Sequence, residues 1–379
     1  MRVAIIKSNY TPYGGGEKYT TRMINAFIEK NIHVDVLTAE SGGWEGILPN
    51  VSCVTLKRFK YNNLLRLLTF NSSVTRYLKN TKYDCIFGMD RTEYQTHIRA
   101  GGGSHAAWIQ RRCEEYSAPR CWSIRLNPFH RMMIKIERSA FLSNELKRIF
   151  CNSSLVKNEV IYYYPQVEGK IEVVHNGVEW HEFSKAFDEA AATKESLLKR
   201  LGLQPDRYYF LFVGSGYERK GLKKAITSLK SLPDHVDLLV VGKDKNESKY
   251  KTMSEKSGLA ERIHFFGPQR NVTPFFQISD AFVLPTIYDP FSNASLEALA
   301  MGLYTVTSNA NGCSEVIIDK AGYIIEDLRD IDSITEAMKT ALSGHLSKRE
   351  IRESVKYLDF STQLNKIVDI CISDMEASR

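Results

Sequence analysis

Short apolar runs alternate with amphipathic stretches along most of this 379-residue chain, and the alternation runs through twice. In the first half "RVAIIKS", "HVDVLTA", "SCVTLKRF" and "YDCIFGM" read as strands, and "EKYTTRMINAFIEKN" as an amphipathic helix. Residues 128–149 read as a long helix, "RIFCNSS" as a further strand, and "KIEVVHNGVEWHEF" as a strand and polar turn. A helix over 187–201 is stopped by "LGLQPD", where Gly and Pro break it. The second half restarts with the strands "YYFLFVGS", "VDLLVVGK", "RIHFFG" and "DAFVLPT". Helical "GLKKAITSLKSL", "YKTMSEKSGL" and "VTPFFQIS" separate them, and "NASLEALAMG" follows. "YTVTS" and "GYIIE" add short strands before a helical remainder. Strands separated by helices pair in parallel, because a crossover helix brings the chain back to the same end of the sheet. The predicted class is α/β, with two Rossmann-like doubly wound domains, since one core does not hold a chain of this length. The predicted division is 1–168, 169–355 and a closing helix over 356–379, with 165–185 as linker. Ligands of such sheets bind at the carboxyl ends of the strands, and two domains facing each other would share a cleft there.

Charge separates the halves. Of the net +7, residues 1–165 carry 24 Lys and Arg against 13 Asp and Glu. The stretch 51–83 holds Lys57, Arg58, Lys60, Arg66, Arg76, Lys79 and Lys82 and no acid. The "YNNLLRLLTF" inside it reads either as a surface helix with its leucines on the core, or as a contact for acidic lipid headgroups or a phosphorylated glycolipid. No nucleic-acid-binding motif accompanies the charge, so nucleic acid is not an expected partner. No apolar run approaches the roughly 18 residues of a membrane-spanning helix. Met1 runs into a strand-like segment without the pattern of a secretory leader. The expected location is the cytoplasm, with peripheral contact at the cytoplasmic face of the inner membrane. Seven cysteines (53, 85, 113, 121, 151, 313 and 371) are scattered, with no CxxC pair and no Cys/His zinc spacing. They read as reduced packing residues, and neither a metal nor a cofactor is expected.

Four motifs follow strands. Gly14, Gly15 and Gly16 stand between the first strand and the first helix, where side chains would obstruct something or the chain merely turns. They are not a dinucleotide fingerprint, which would need glycine where Tyr19 stands. In "FVGSGYERKG" a strand ends at Gly214 and a helix opens near Gly221, with Arg219 and Lys220 beside it. Amides at such a turn with two cations suit a diphosphate, and the plainer reading is a βα turn with solvated cations. In "PTIYDPFSNASLEALAMG", Asp289 precedes a helix capped by Ser292 or Asn293 and Glu297 lies more than a turn into it. Two carboxylates facing one side can each accept a pair of hydroxyls, as vicinal sugar diols require. Turn chemistry before Pro290 and a solvated helix face are the alternatives. In "RAGGGSHAAW", His105 follows three glycines and is either catalytic or structural. Asp90, at the end of the fourth strand, is a weaker site candidate than His105, and reads more readily as a capping or turn aspartate.

In their order, the glycine loop, "NGV", "VGSGYERKG", "HFFG", Asp289-x7-Glu297 and "MGLYTVTS" resemble the retaining glycosyltransferases of family 4, which have the GT-B fold. The "VGSxxxRKG" and "HFF-G" spacings and "RAGGGSHAAWIQRR" bring the likeness nearest to the lipopolysaccharide-core glucosyltransferase I type. The resemblance implies two Rossmann-like domains across a cleft, with C-terminal helices crossing back to the first. It implies Lys220 and Arg219 on the donor diphosphate, with Ser215 where relatives often carry arginine. Glu297 would hold the ribose hydroxyls, and Asp289, shorter than the usual glutamate, the hydroxyls of the transferred sugar. Ser292, Asn293 and Ala294 would offer helix-start groups to phosphate, and Pro268 and Val272 in "GPQRNV" would edge the nucleobase. Gly14, Gly15, Gly16 and Glu17 would approach donor and acceptor. His105 would meet the donor sugar and acceptor, completing a catalytic trio with Asp289 and Lys220.

The implied reaction moves a hexose from a nucleotide sugar, UDP-glucose or a related UDP-sugar, to an acceptor hydroxyl with retention and without a metal. The leaving phosphate itself would take the acceptor proton, so the enzyme positions substrates and stabilises charge. An anionic or lipid-linked glycan, such as a lipopolysaccharide core, suits the basic N-terminal half, where Arg111, Arg112, Arg120, Arg125 and Arg131 extend the charge. Two other readings remain: a nucleotide-sugar epimerase on the same fold, and a non-catalytic glycan-binding protein.

Overall fold

The computed structural model describes residues 1–9, 15–40, 51–343 and 346–378. The chain divides into two compact units, Met1–His175 with Ser361–Arg379, and Asn176–Phe360.

Among the described residues the first unit holds a seven-stranded parallel sheet in the order β3-β2-β1-β4-β5-β6-β7. The strands are β1 (Arg2–Ile6), β2 (His33–Thr38), β3 (Val51–Thr55), β4 (Cys85–Gly88), β5 (His97–Arg99), β6 (Arg148–Cys151) and β7 (Ile171–Val173). The last corrects the expected boundary after residue 168. "KIEVV" pairs in parallel with β6 from Ile149 to Cys151, so it closes the first sheet instead of opening the second domain. Helix α1 (Gly15–Glu29) starts two residues before the stretch expected to be helical, with Gly15 and Gly16 in its first turn. Gly14 lies outside the described residues, as does the side chain of Glu17. Helix α2 (Asn63–Lys79) carries the acid-free stretch and buries Phe70, Asn71, Val74 and Leu78, while Leu65 stays exposed.

Three helices follow β5: α3 (His105–Glu115), α4 (Ala118–Leu126) and α5 (Pro128–Phe141). The long helix expected over 128–149 is α5 alone. It ends at Leu142, where the Ser143 hydroxyl accepts from the Glu145 N–H at 3.2 Å and turns the chain toward β6. Helix α4 buries no side chain, so its sequence carries no apolar stripe to announce it. Cys113 and Cys121 are joined in a disulfide linking α3 to α4, which corrects the reading of all seven cysteines as reduced. Helix α6 (Ser154–Tyr163) precedes β7.

The second unit holds a six-stranded parallel sheet, again among the described residues, in the order β10-β9-β8-β11-β12-β13. After α7 (Trp180–Leu201) come β8 (Tyr208–Val213), α8 (Tyr217–Lys220), α9 (Leu222–Leu229) and β9 (Val236–Val241). Then follow α10 (Glu247–Lys256), β10 (Ile263–Gly267), α11 (Thr273–Ile278), β11 (Ala281–Leu284), α12 (Asn293–Ala300), β12 (Tyr304–Ser308) and β13 (Gly322–Ile325). Strands β9, β11 and β12 are buried along their whole length, as continuous apolar runs covered on both faces should be. Phe210, Phe212, Phe276 and Phe282 are closed off from solvent, each contributing about 1.5–3 kcal/mol by burial. Helix α7 starts at Trp180, before the expected 187, and stops at Gly202, whose φ of +69° suits glycine.

Helices α13 (Ile331–Thr340) and α14 (Lys348–Glu353) complete this unit. The closing helix α15 (Phe360–Glu376) belongs mainly to the first unit. There the Asp374 carboxylate accepts from Arg148 Nε at 2.9 Å and Nη2 at 3.1 Å.

Candidate active site

In the second sheet the chain order reverses between β8 and β11, and the loops after these strands are where a doubly wound sheet binds a ligand. Both halves of the proposed donor grip lie there. After β8 the chain passes Gly214, the exposed Ser215 and Gly216, makes the single turn α8, and turns again at Gly221 before α9. The sequence reading had the helix open near Gly221, whereas the structure inserts α8 ahead of it. That turn places Arg219 and Lys220 over β11. Gly221 has φ +79°, and a Cβ there would sit 1.9 Å from the Pro285 carbonyl oxygen, so only glycine lets the two loops approach.

Lys220 is 8% exposed and its stem runs along Gly214, so the solvated-cation reading does not describe it. Its Nζ donates to Asp289 Oδ2. Arg219 Nη1 donates to the Tyr288 carbonyl at 2.9 Å and reaches the same Asp289 oxygen at 3.4 Å. Burial lowers the Lys220 pKa below its ordinary value; Asp289 opposes this and Arg219 adds to it. Two cations share one buried carboxylate, so the trio holds an excess of positive charge. A desolvated ammonium is stabilised by each further anion that reaches it, and a diphosphate is such an anion.

The loop after β11 is pinned to the loop after β12. The Asp289 N–H donates to the Ala310 carbonyl at 2.9 Å, and the Gly312 N–H to the Asp289 carbonyl. Buried Asn311 accepts from the Ser292 N–H at 3.0 Å and donates to Ser295 Oγ and Thr307 Oγ1. Ser292 caps α12, its hydroxyl accepting from the Ser295 N–H, which settles the cap between Ser292 and Asn293. Asn293 is exposed, and its Oδ1 accepts from Asn176 Nδ2 at 2.7 Å. The first-turn amides of Asn293 and Ala294 have no acceptor inside the helix. Glu297 is half-buried on α12. Pro268 is exposed just after β10, and half-buried Val272 precedes α11.

In the first sheet the order reverses between β1 and β4, and a cavity of about 530 Å³ opens where these strands and β5 end. Arg58, Arg66, Arg91 and Arg99 line it, against the carboxylates of Asp90 and Glu137. Arg58 donates to Asn9 and, at 2.6 Å, to Glu40. Asp90 accepts from the Ser8 N–H at 2.6 Å and Lys7 Nζ at 3.2 Å, so it caps no helix and ties its own loop to the segment after β1.

His105 opens α3 behind this cavity. Glu137, which lines the cavity, accepts from Ser104 Oγ at 2.9 Å and from the His105 N–H at 2.8 Å. The His105 ring stacks on Trp108 with centroids 5.4 Å apart, and its Nε2 lies 3.1 Å from His130 Nδ1. Burial, then Arg91 and His130, lower its pKa to about 3, so the ring is neutral at physiological pH. Sequence reasoning missed Glu137 and His130. Glu137 could have been noticed as an acid among the apolar positions Ile136, Ala140 and Phe141 of one helix; His130 carried no such signal.

The description "Glycosyltransferase Family 4" matches residues 13–181, and "Glycosyl transferases group 1" matches residues 193–357. The lipopolysaccharide glucosyltransferase WaaG of Escherichia coli K12 is 23% identical over 349 residues, 90% of each chain. The crystal structure of a WaaG superposes with a TM-score of 0.77 at 22% identity, over 97% of this chain and 99% of that one. Anabaena HepE in complex with UDP-glucose superposes with a TM-score of 0.71 at 14% identity, over 98% of this chain and all of that one.

Proposed function

Because the chain belongs to glycosyltransferase family 4, has the GT-B fold and is related to the glycosyltransferases of the lipopolysaccharide core, we propose that it transfers a hexose from a UDP-sugar, UDP-glucose or a close relative, to a glycan hydroxyl with retention. The observation that carries this reading is the Lys220, Arg219 and Asp289 cluster at the reversal point of the second sheet. A donor diphosphate competes with Asp289 for Lys220 and Arg219. Asp289, released from the ammonium, is then available to the hydroxyls of the hexose. Glu297 holds the ribose, the α12 amides meet phosphate oxygens, and the main chain around Pro268 and Val272 meets the base. Charge on the leaving diphosphate is stabilised by groups already in place, which is how an electrostatic site lowers a barrier. No divalent cation is required for that step. Added Mg²⁺ or Mn²⁺ should leave the rate of metal-stripped enzyme unchanged.

The acceptor is an anionic, lipid-linked glycan, of which a lipopolysaccharide core is one, bound in the arginine-lined cavity of the first unit. Neutral His105 acts as a hydrogen-bonding group toward the acceptor. Peripheral contact with an anionic membrane at the cytoplasmic face is carried by α4, which exposes Trp122 and Leu126 beside Arg120 and Arg125. Among the described residues no helix is long and apolar enough to cross a membrane.

The test is a thermal-shift screen of UDP- and GDP-sugars, followed by transfer to a phosphorylated heptose-containing acceptor with the product anomer read by NMR. A UDP-sugar at about 100 times its Kd should add about 2.7 kcal/mol of apparent stability. Isomerisation of the sugar without acceptor, or no nucleotide binding at all, overturns the reading.

A further inference from the structure

At the other end of the first sheet, where its strands begin, three side chains distant in sequence meet. Cys85 is the first residue of β4, His97 the first of β5, and Cys371 lies on α15. All three are closed off from solvent. One donor atom from each lies within 4.8 Å of the others, and Cys85 Sγ is 3.3 Å from His97 Nδ1. We propose that Cys85, Cys371 and His97 supply three of the four ligands of one thiophilic metal ion, Zn²⁺, with water completing the tetrahedron, and that the ion fastens α15 to the first sheet.

Three observations carry it. First, the donor set is two thiols and one imidazole, which zinc accepts and magnesium or calcium do not. Second, the spacing fits. Zn–S and Zn–N bonds of about 2.3 and 2.0 Å hold their donors about 3.5–4 Å apart, so Cys85 and His97, at 3.3 Å, need open slightly while no donor pair exceeds 4.8 Å. Third, the histidine is already oriented as a ligand. Its far nitrogen, Nε2, lies 3.3 Å from Asp374 Oδ2, and that carboxylate is fixed by Arg148 at 2.9 and 3.1 Å. A carboxylate behind a histidine sets the tautomer that puts a lone pair on the near nitrogen, Nδ1. Nδ1 also lies 2.8 Å from the Thr96 hydroxyl, which metal binding would leave to its other acceptor, the Ile86 carbonyl at 3.1 Å. Asp374 sits three residues after Cys371, so α15 supplies both a ligand and the group that orients another.

The cluster stands at the starts of the strands, whereas the cavity and its arginines follow their ends, so the ion is separate from the transfer chemistry. Its role is to hold the C-terminal helix in place. Binding as thiolates, both cysteines release their protons to solvent.

The experiment is metal analysis of full-length protein purified without chelator, together with Co²⁺ substitution followed by absorption. The expected result is about one equivalent of zinc per chain and a thiolate-to-cobalt charge-transfer band. Cys85→Ser and Cys371→Ser should abolish both, Cys53→Ser neither, and stripping the metal should lower the unfolding midpoint. Wild-type protein that holds no zinc and shows no such band overturns the proposal even if the variants fail to fold. Retention of zinc by both serine variants, or a Cys85–Cys371 disulfide in the isolated protein, overturns it as well.

Discussion

The two sheets share a plan and use it differently. In the second unit the loops at the reversal point are locked: Lys220 and Asp289 are buried against each other, Gly221 is fitted against Pro285, and Asn311 ties the start of α12 to β12. In the first unit the corresponding position is an open cavity with four arginines at its wall. A locked site suits a ligand whose shape does not vary, and UDP is such a ligand. An open basic cavity suits a branched, charged glycan, which differs from one acceptor to the next. On the proposed function, one topology supplies a rigid grip in one copy and an adaptable one in the other, through its loops alone.

The strongest way to break this contrast is Lys220→Ala. It should cut kcat by about 100- to 1000-fold, as loss of one preorganised charge does, and weaken UDP binding measured by calorimetry. Near-normal turnover would make Lys220 only a partner that neutralises Asp289. Arg66→Ala sharpens the other side. The KM for a phosphorylated acceptor should rise about tenfold with UDP affinity unchanged, in line with one lost charge-assisted contact. Equal loss of UDP affinity would end the division of labour.

A pH titration probes the wall behind the cavity. His105 is held neutral, with a folded pKa of about 3 against an ordinary 6.5. The unfolded chain takes up a proton there below pH 6.5 and the folded chain does not. The stability it contributes is therefore complete above pH 6.5 and is lost as pH falls toward 3. His105→Gln should show a shallower fall of the unfolding midpoint across that window than the parent. The smallest effect is expected at α4, where Trp122→Ala should reduce sedimentation with anionic vesicles at low salt a few-fold. Transfer to a soluble acceptor should be unaffected.

The second unit was the more legible in sequence. Its strands are long apolar runs with sharp glycine ends, and its charged motifs sit directly after them, so Lys220 and Asp289 could be placed by spacing and the α12 cap narrowed to Ser292 or Asn293. What spacing could not give is that Lys220 and Asp289 touch, because contact across neighbouring strands depends on strand order. The first unit was harder. Strand β5 has three residues, too few to show a period; β7 was read as a strand but not as part of the first sheet, and α4 has no buried face. The Cys113–Cys121 disulfide and the Cys85, His97 and Cys371 cluster have no sequence signature. The first is an eight-residue closure between α3 and α4, and the second joins two neighbouring strands to a helix near the end of the chain. Glu137 was passed over because an acid in an amphipathic helix usually faces water, although its place among Ile136, Ala140 and Phe141 marked the buried face.

One feature of the topology reaches into the order of synthesis. The first unit draws α15 from beyond the second unit, so a ribosome that has released residues 1–175 has not yet made the piece that closes their sheet. Domains tend to fold as they emerge, amino-terminal first. Here the unit that starts first finishes last. Until α15 arrives, the starts of β5 and β6 wait with His97 and Arg148 unmatched to Asp374. A nascent chain stalled before that helix therefore offers a chaperone an incomplete first unit tethered to a finished second one.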